Sequence, residues 1–288
     1  MSKVPTELRD EIPSFEEAPA RRDHGPIDWT ALTSVQTAKT AGEIGTIIGL
    51  AVGVFWLLEL ILVVTDTPEF VLPKPTQVVS TLVGDFGTLY GPHLWITMQT
   101  FLMGLAIGST VGLVLAAVIT QKPFVEKVVA PYIIMMVTTP MVALIPFLRL
   151  KMGFGIMPIV LAVALASGPM VLINAATGFR RTDLAKIALA RSYGATTFQI
   201  FRKIRFPLAL PMIIVGYMVG SIFGLLTTVG GELVAASERG GLGKQLKVFS
   251  SLIILDGFWA TILIVAFLGV AIYVIFFLIG RRWASWQT

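Results

Sequence analysis

Few residues in this 288-residue chain could carry chemistry. Cysteine is absent, which removes thiolate catalysis, disulfides and Cys-based metal sites. The two histidines, His24 and His93, are not spaced as a metal pair, and neither HExxH nor a GxSxG nucleophile turn occurs. A phosphate-binding loop fails too: Gly243-Lys244 is followed by Gln245, and Glu238 stands where its first glycine belongs. The sequence thus offers no catalytic residue and no metal site. What remains are charges in unusual places: a basic stretch near residues 180–206, the acids Glu59 and Glu232 in apolar surroundings, and the cations Arg149 and Lys151.

The elements holding these charges follow from composition. Hydrophobic residues make up 55% and charged residues only 14%, with a mean hydropathy of +0.83. About a quarter charged is usual for a soluble domain, so this chain cannot cover a water-facing surface. Six apolar segments account for the excess, at roughly 44–64, 94–119, 128–148, 156–173, 208–233 and 257–279. A helix needs about 20 residues to cross the hydrocarbon, and the fourth segment, with Pro158 and Pro169 near its ends, is the short one. The expected fold is an all-α polytopic membrane protein of about six transmembrane helices over 41–288. Residues 1–40, polar and rich in proline, are expected to form a cytoplasmic, disordered tail without a signal-peptide core.

Lysine and arginine set the orientation. With the N-terminus inside, the tail, the second-to-third loop, the loop after the fourth segment and the C-terminal end hold sixteen of the 22 basic residues. Lys74, Arg149, Lys151, Arg239, Lys244 and Lys247 remain outside. Both termini are then cytoplasmic. The net charge of +5 reads as a topology signal, and no nucleic-acid partner is expected.

Glycines recur every four residues at Gly45, Gly49 and Gly53, at Gly104, Gly108 and Gly112, and at Gly216, Gly220 and Gly224. That spacing puts three on one helix face, where backbones can approach closely. Ordinary intramembrane packing is the simpler reading. The sharper one is an interface with a second membrane subunit, for which Gly216, Gly220 and Gly224 are the candidates.

Glu59, near the outer end of the first segment, reads as snorkelling or helix pairing. Glu232 either lines a path or holds a loop by accepting N–H bonds, with a helix break plausible at Gly230-Gly231. Arg149 and Lys151 either snorkel to headgroups from a helix end or draw an anionic solute to the outer mouth.

Between the fourth and fifth segments, helix signals predict two short helices. Thr182 is the expected N-cap of the first, with Asp183 at the positive end of its dipole. Gly194 can end it in a left-handed conformation, and Thr196 or Thr197 restarts the chain. Ile200, Phe201 and Ile204 form an apolar stripe with Arg202, Lys203 and Arg205 off it. Pro207 suits the first turn of the next membrane helix. The pair either lies on anionic headgroups as an interfacial element or docks a soluble partner.

Ala190-Arg191-Ser192-Tyr193-Gly194-Ala195, with Phe198, Phe201, Ile204, Pro207 and Pro211, resembles the EAA motif of binding-protein-dependent ABC importer permeases. The motif's glutamate falls at Ala188, a departure at its eponymous position. Leu72-Pro73-Lys74-Pro75 through Val78, Thr139-Pro140 through Pro146, Gly153-Phe154-Gly155, and Glu232 through Ala236 with Gly241-Leu242-Gly243 resemble, in order, segments of the nitrate, sulfonate, taurine and bicarbonate subfamily. The resemblance implies a type I importer permease in a prokaryotic plasma membrane, with a coupling loop at about 180–206. Ala188, Ala190, Arg191, Gly194, Ala195, Phe198, Phe201 and Pro207 would engage an ATPase subunit. Glu232, Pro140, Arg149 and Lys151 are candidates for the translocation path. It further implies two ATPase subunits that hold ATP and Mg while this chain holds no cofactor, an extracytoplasmic solute-binding protein, and a second permease copy or paralogue. Membrane lipid surrounds the whole. The reading from another class is a stand-alone secondary transporter or channel, which would need an inverted repeat or a ring of pore charges.

Overall fold

The computed structural model describes residues 41–235 and 240–283. The expectations for the tail, residues 1–40, and for Ala236 and Arg239 lie outside the described residues. The chain divides into two units, 1–48 with 286–288, and 49–285. The first contributes to the described residues only the opening of α1 (Ala41–Val64).

Every regular element among the described residues of the second unit is a helix. After α1 come α2 (Pro75–Gly84) and a π-turn at Phe86–Tyr90 that leads into α3 (Gly91–Ile119). Next are α4 (Pro123–Thr138), α5 (Met141–Met152) and α6 (Met157–Arg180). The short α7 (Leu184–Ser192) and α8 (Thr197–Ile200) precede α9 (Phe206–Ala235). The amphipathic α10 (Leu242–Leu252) and the long α11 (Leu255–Trp283) close the series.

The core is α6, with α3 on one side and α9 on the other. A β-carbon at Gly104 would meet Val163, at Gly108 the carbonyl of Ala164, and at Gly112 the carbonyl of Gly168, so α3 and α6 run parallel in backbone contact. Gly178 faces Ala209 and Met212, Gly216 faces Val171 and Asn174, and Gly220 faces Ser167, so α9 runs antiparallel to α6. In lipid, where apolar side chains gain little by leaving their surroundings, such close van der Waals packing is what holds helices together. The glycine face of Gly216, Gly220 and Gly224 is therefore occupied inside the chain, with Gly224 against Phe101 and Val163. At those three residues the close neighbours are helices of this chain. A β-carbon at Gly45, Gly49 or Gly53 would meet nothing within 4 Å.

Among the described residues, five helices are long and apolar enough to cross a membrane. The expected third span is instead α4 and α5, bent by 97° at a break. Proline is the cause: Pro140 lacks the N–H needed to continue α4 and disfavours a helical Thr139, which is extended (ψ 127°). Because α3 and α6 are parallel, α4 and α5 together must carry the chain back, which makes a sixth crossing. The fourth span is longer than expected, at 24 residues, because Pro169 sits inside α6 without ending it.

Glu59 pairs elements rather than snorkelling. Its carboxylate accepts the Thr76 N–H at 3.1 Å and the Thr76 hydroxyl at 2.7 Å, at the N-terminus of α2. Thr81 of α2 in turn donates to Asp256 in the first turn of α11 at 2.8 Å.

Candidate functional site

Residues 180–206 fold as two helical pieces hinged on glycine. Asp183, one residue later than expected, caps α7 by accepting the Ala185 N–H at 2.8 Å. Thr182 is buried beneath the end of α6, with its hydroxyl 3.3 Å from the Phe179 carbonyl to which it donates. Gly194 adopts φ +78°, where a β-carbon would be strained. Its N–H reaches Arg191 O at 2.9 Å and the Ala195 N–H reaches Ala190 O at 3.0 Å, which completes a Schellman motif at the end of α7.

Thr196 restarts the chain through a capping box. Its N–H donates to Gln199 Oε1 at 2.8 Å, and its hydroxyl accepts the Gln199 N–H at 3.3 Å. The helix then does not stop where a separate membrane span was expected to begin. Phe206 N–H donates to Phe201 O, five residues back, and α8 runs through this π-turn into α9. Pro207 is the reason: it has no N–H for the Lys203 carbonyl and its ring crowds that oxygen, so the turn widens. The π-turn at Phe86–Tyr90 likewise lies two residues before a proline, Pro92.

The loop is anchored by part of its apolar surface and displays the rest. Ile187 and Ile200 are buried, and the Phe201 ring packs 5.1 Å from that of Phe179. Ala190, Ala195 and Pro207 are half-buried, while Ala188, Arg191 and Gly194 are exposed. Leu189, Tyr193 and Phe198 stand 60%, 84% and 69% exposed. Arg205, expected off the apolar stripe with Arg202 and Lys203, is half-buried, and they are exposed. Arg180 at the end of α6 pairs with Glu126 of α4 at 2.6 Å.

At the opposite end of α9 a polar network holds α3, α9 and α10 together. The helix is unbroken through Gly230-Gly231, where Gly231 admits the Ile145 side chain, and the expected break is absent. Glu232 is 1% exposed and accepts the Thr97 hydroxyl at 2.8 Å and the Gly243 N–H at 3.0 Å, so its carboxylate faces the N-terminus of α10. Its Oε1 has no hydrogen-bond partner among the described residues. A β-carbon at Gly241 would lie 2.4 Å from that carboxyl carbon, so the segment must be glycine to approach. Thr97 accepts the Leu242 N–H at 2.8 Å, and His93 Nδ1 accepts the Gly241 N–H at 2.9 Å. The ring proton of His93 therefore sits on Nε2, where the Gln245 amide must present its oxygen.

Arg149 closes the same end. Its guanidinium donates to Ala235 O at the end of α9 and to Phe154 O at 3.3 Å, and it stacks 5.1 Å from the Phe154 ring centroid. Lys151 and Pro140 are exposed. Thus Glu232 is enclosed, Arg149 is half-buried over two carbonyls, and the other two path candidates are exposed.

His93, Thr97 and Gln245 escaped the sequence reading. His93 and Thr97 are four apart at the head of an apolar segment, a spacing that puts both on one helix face and could have flagged them. Among the described residues no cluster of acids and histidines could hold a metal ion.

Residues 104–285 match the family model described as binding-protein-dependent transport system inner membrane component. The taurine transport system permease protein TauC of Escherichia coli K12 is 26% identical over 271 residues, covering 91% of this chain and 94% of its own length. The formylaminopyrimidine transport permease protein ThiX of Halalkalibacterium halodurans is 27% identical over 70% of this chain and 80% of its own length. The aliphatic sulfonates transport permease protein SsuC of E. coli K12, designated putative, is 29% identical over 75% of this chain and 82% of its own length. An inward-facing MetNI methionine ABC transporter chain superposes with a TM-score of 0.59 at 20% identity, over 66% of this chain and 93% of its own. A chain of an amino acid ABC transporter with histidines gives 0.59 at 18% identity, over 69% and 96%. These solved structures share the helical fold described above. With the family model covering well over half of the sequence, this chain belongs to the binding-protein-dependent transport system inner membrane components, the multi-pass permease subunits of ABC importers.

Proposed function

We propose that this permease receives mechanical work through residues 180–206 and forms half of a translocation path for a small polar or anionic solute. Two ATPase subunits, each holding ATP and Mg, dock beneath it and a second permease copy or paralogue. An extracytoplasmic binding protein delivers the solute. The observation that carries this reading is the display of Leu189, Tyr193 and Phe198 on a glycine-hinged loop whose Ile187 and Ile200 are seated in the bundle. Large apolar side chains exposed on a basic loop beside the membrane mark a protein interface. The anchored residues pass a push on that interface into α6 and, through the π-turn, directly into α9.

The gathering of basic residues in the tail, the loop and the C-terminal end supports a cytoplasmic side for all three. The solute class follows the relatives, which are named for taurine, aliphatic sulfonates and formylaminopyrimidine. Catalysis resides in the separate ATPase, and membership in an importer permease family displaces a stand-alone carrier or channel. Co-purification with the candidate ATPase tests the docking assignment. The parent chain retains the ATPase, and replacing Arg191 and Gly194 together abolishes retention and transport. A variant pair that associates and pumps like the parent contradicts it.

A further inference from the structure

A small cleft of about 130 Å³ lies where the end of α3 meets both halves of the loop, and its chemistry differs from the apolar surfaces around it. Thr120 and Gln121 contribute from α3's end, Arg191 from α7, Thr197 from α8 and Arg205 from the π-turn, over a buried Ile200. Two guanidinium groups thus border a space with no acid in its lining. Within 180–206 the only acid is Asp183, which caps α7, against seven bases. Glu126 is paired with Arg180. The Arg205 Nε is buried and has no hydrogen-bond partner among the described residues. An unmet buried N–H beside a second cation is unfavourable unless an anion supplies both charge and acceptor atoms.

We propose that this cleft is a seat for one phosphate-class oxyanion, held by the guanidinium groups of Arg191 and Arg205 with Thr197. The Thr120 hydroxyl already donates to Ala116 O at 2.8 Å and the Gln121 amide to Ala117 O at 3.3 Å, so these two shape the wall. The volume fits about four waters, at roughly 30 Å³ each, which suits one tetrahedral anion. Occupancy braces α3, α7 and the π-turn against one another, which stiffens the loop. Thr120 directly follows the apolar α3, and Arg205 directly precedes the apolar start of α9, which puts the cleft at headgroup depth. The oxyanion can therefore come from an anionic phospholipid or from free phosphate, and the seat exists whether or not the loop docks an ATPase.

The test uses the full chain alone, so failure here is separate from failure of the docking assignment. In nanodiscs of phosphatidylcholine, equilibrium dialysis against labelled inorganic phosphate reads the free-anion arm. Native mass spectrometry after reconstitution in phosphatidylglycerol reads the lipid arm. The expected result is saturable binding of one phosphate or one retained phosphatidylglycerol per chain, which identifies the source. Arg205→Gln weakens that binding at least tenfold, Arg205→Lys partly restores it, and Arg202→Gln, an equal charge change on an exposed neighbour, leaves it intact. Thr197→Val, expected to weaken binding severalfold, serves if Arg205→Gln does not fold. Binding in neither arm, or equal loss in Arg202→Gln and Arg205→Gln, overturns the proposal.

Discussion

A β-carbon at Gly108 would sit 2.4 Å from the Ala164 carbonyl oxygen and 2.8 Å from the Ala164 Cα, backbone atoms that cannot retreat without moving α6. Gly108→Ala therefore forces two helix backbones apart, at a cost of about 1–3 kcal/mol typical of overpacking. Gly49→Ala makes the same chemical change where nothing lies within 4 Å. Thermal melting of the two purified variants by tryptophan fluorescence should show a lowered transition for Gly108→Ala and none for Gly49→Ala, which gains a little helix propensity. Equal melting would mean that α3 and α6 are not in backbone contact. The four-residue spacing announced all three glycine faces. Which faces meet a partner helix was not legible, because that depends on where neighbouring helices lie.

At the scale of elements, the continuity of α8 with α9 is the feature that makes residues 180–206 a lever. A separate short helix would swing on its linker, whereas a helix joined through Phe201–Arg205 must move with the span. Pro207→Ala restores the missing N–H and relieves the crowded carbonyl, so the π-turn should tighten into ordinary α-helix. Removing one residue's worth of slack turns everything on the loop side by about 100°, the rotation per residue of a 3.6-residue helix. The variant should keep its fold but move several times less solute per ATP hydrolysed, measured in proteoliposomes with the ATPase and binding protein. Unchanged coupling would mean that the π-turn is incidental. The sequence signals for the caps came within a residue of the observed ones, at Asp183 and Thr196, because capping is local chemistry. The π-turn is not legible because Pro207 equally suits the first turn of a new helix, whereas the residues before it are already helical.

For the molecule as a whole, the absence of cysteine gives a clean background for mapping the two ends. Tyr193, 84% exposed, becomes a reporter as Tyr193→Cys. A membrane-impermeant maleimide should label it in inverted vesicles and not in intact cells, and labelling from outside would reverse the assigned orientation. Fold class and loop position were legible because hydropathy, charge placement and helix punctuation are written along the chain. The bent α4–α5 pair and the network joining Glu232, Thr97, His93 and α10 were not. The network depends on residues far apart in sequence, with Thr97 meeting Glu232 across 135 positions, whereas the bend comes from Pro140 inside an apolar segment that also fits one straight span. Glu232 was left between two roles by its sequence context, and its contacts with Thr97 and Gly243 describe what it touches.

The central claim is that loop 180–206 passes work from a separate ATPase into the bundle. It is tested most directly by solute flux into proteoliposomes containing this chain, its permease partner and the binding protein, with and without the ATPase and ATP. The account predicts uptake only when ATPase and ATP are both present, and its loss when Arg191 and Gly194 are replaced. Full uptake without the ATPase, or undiminished ATP-driven uptake by the double variant, would contradict it.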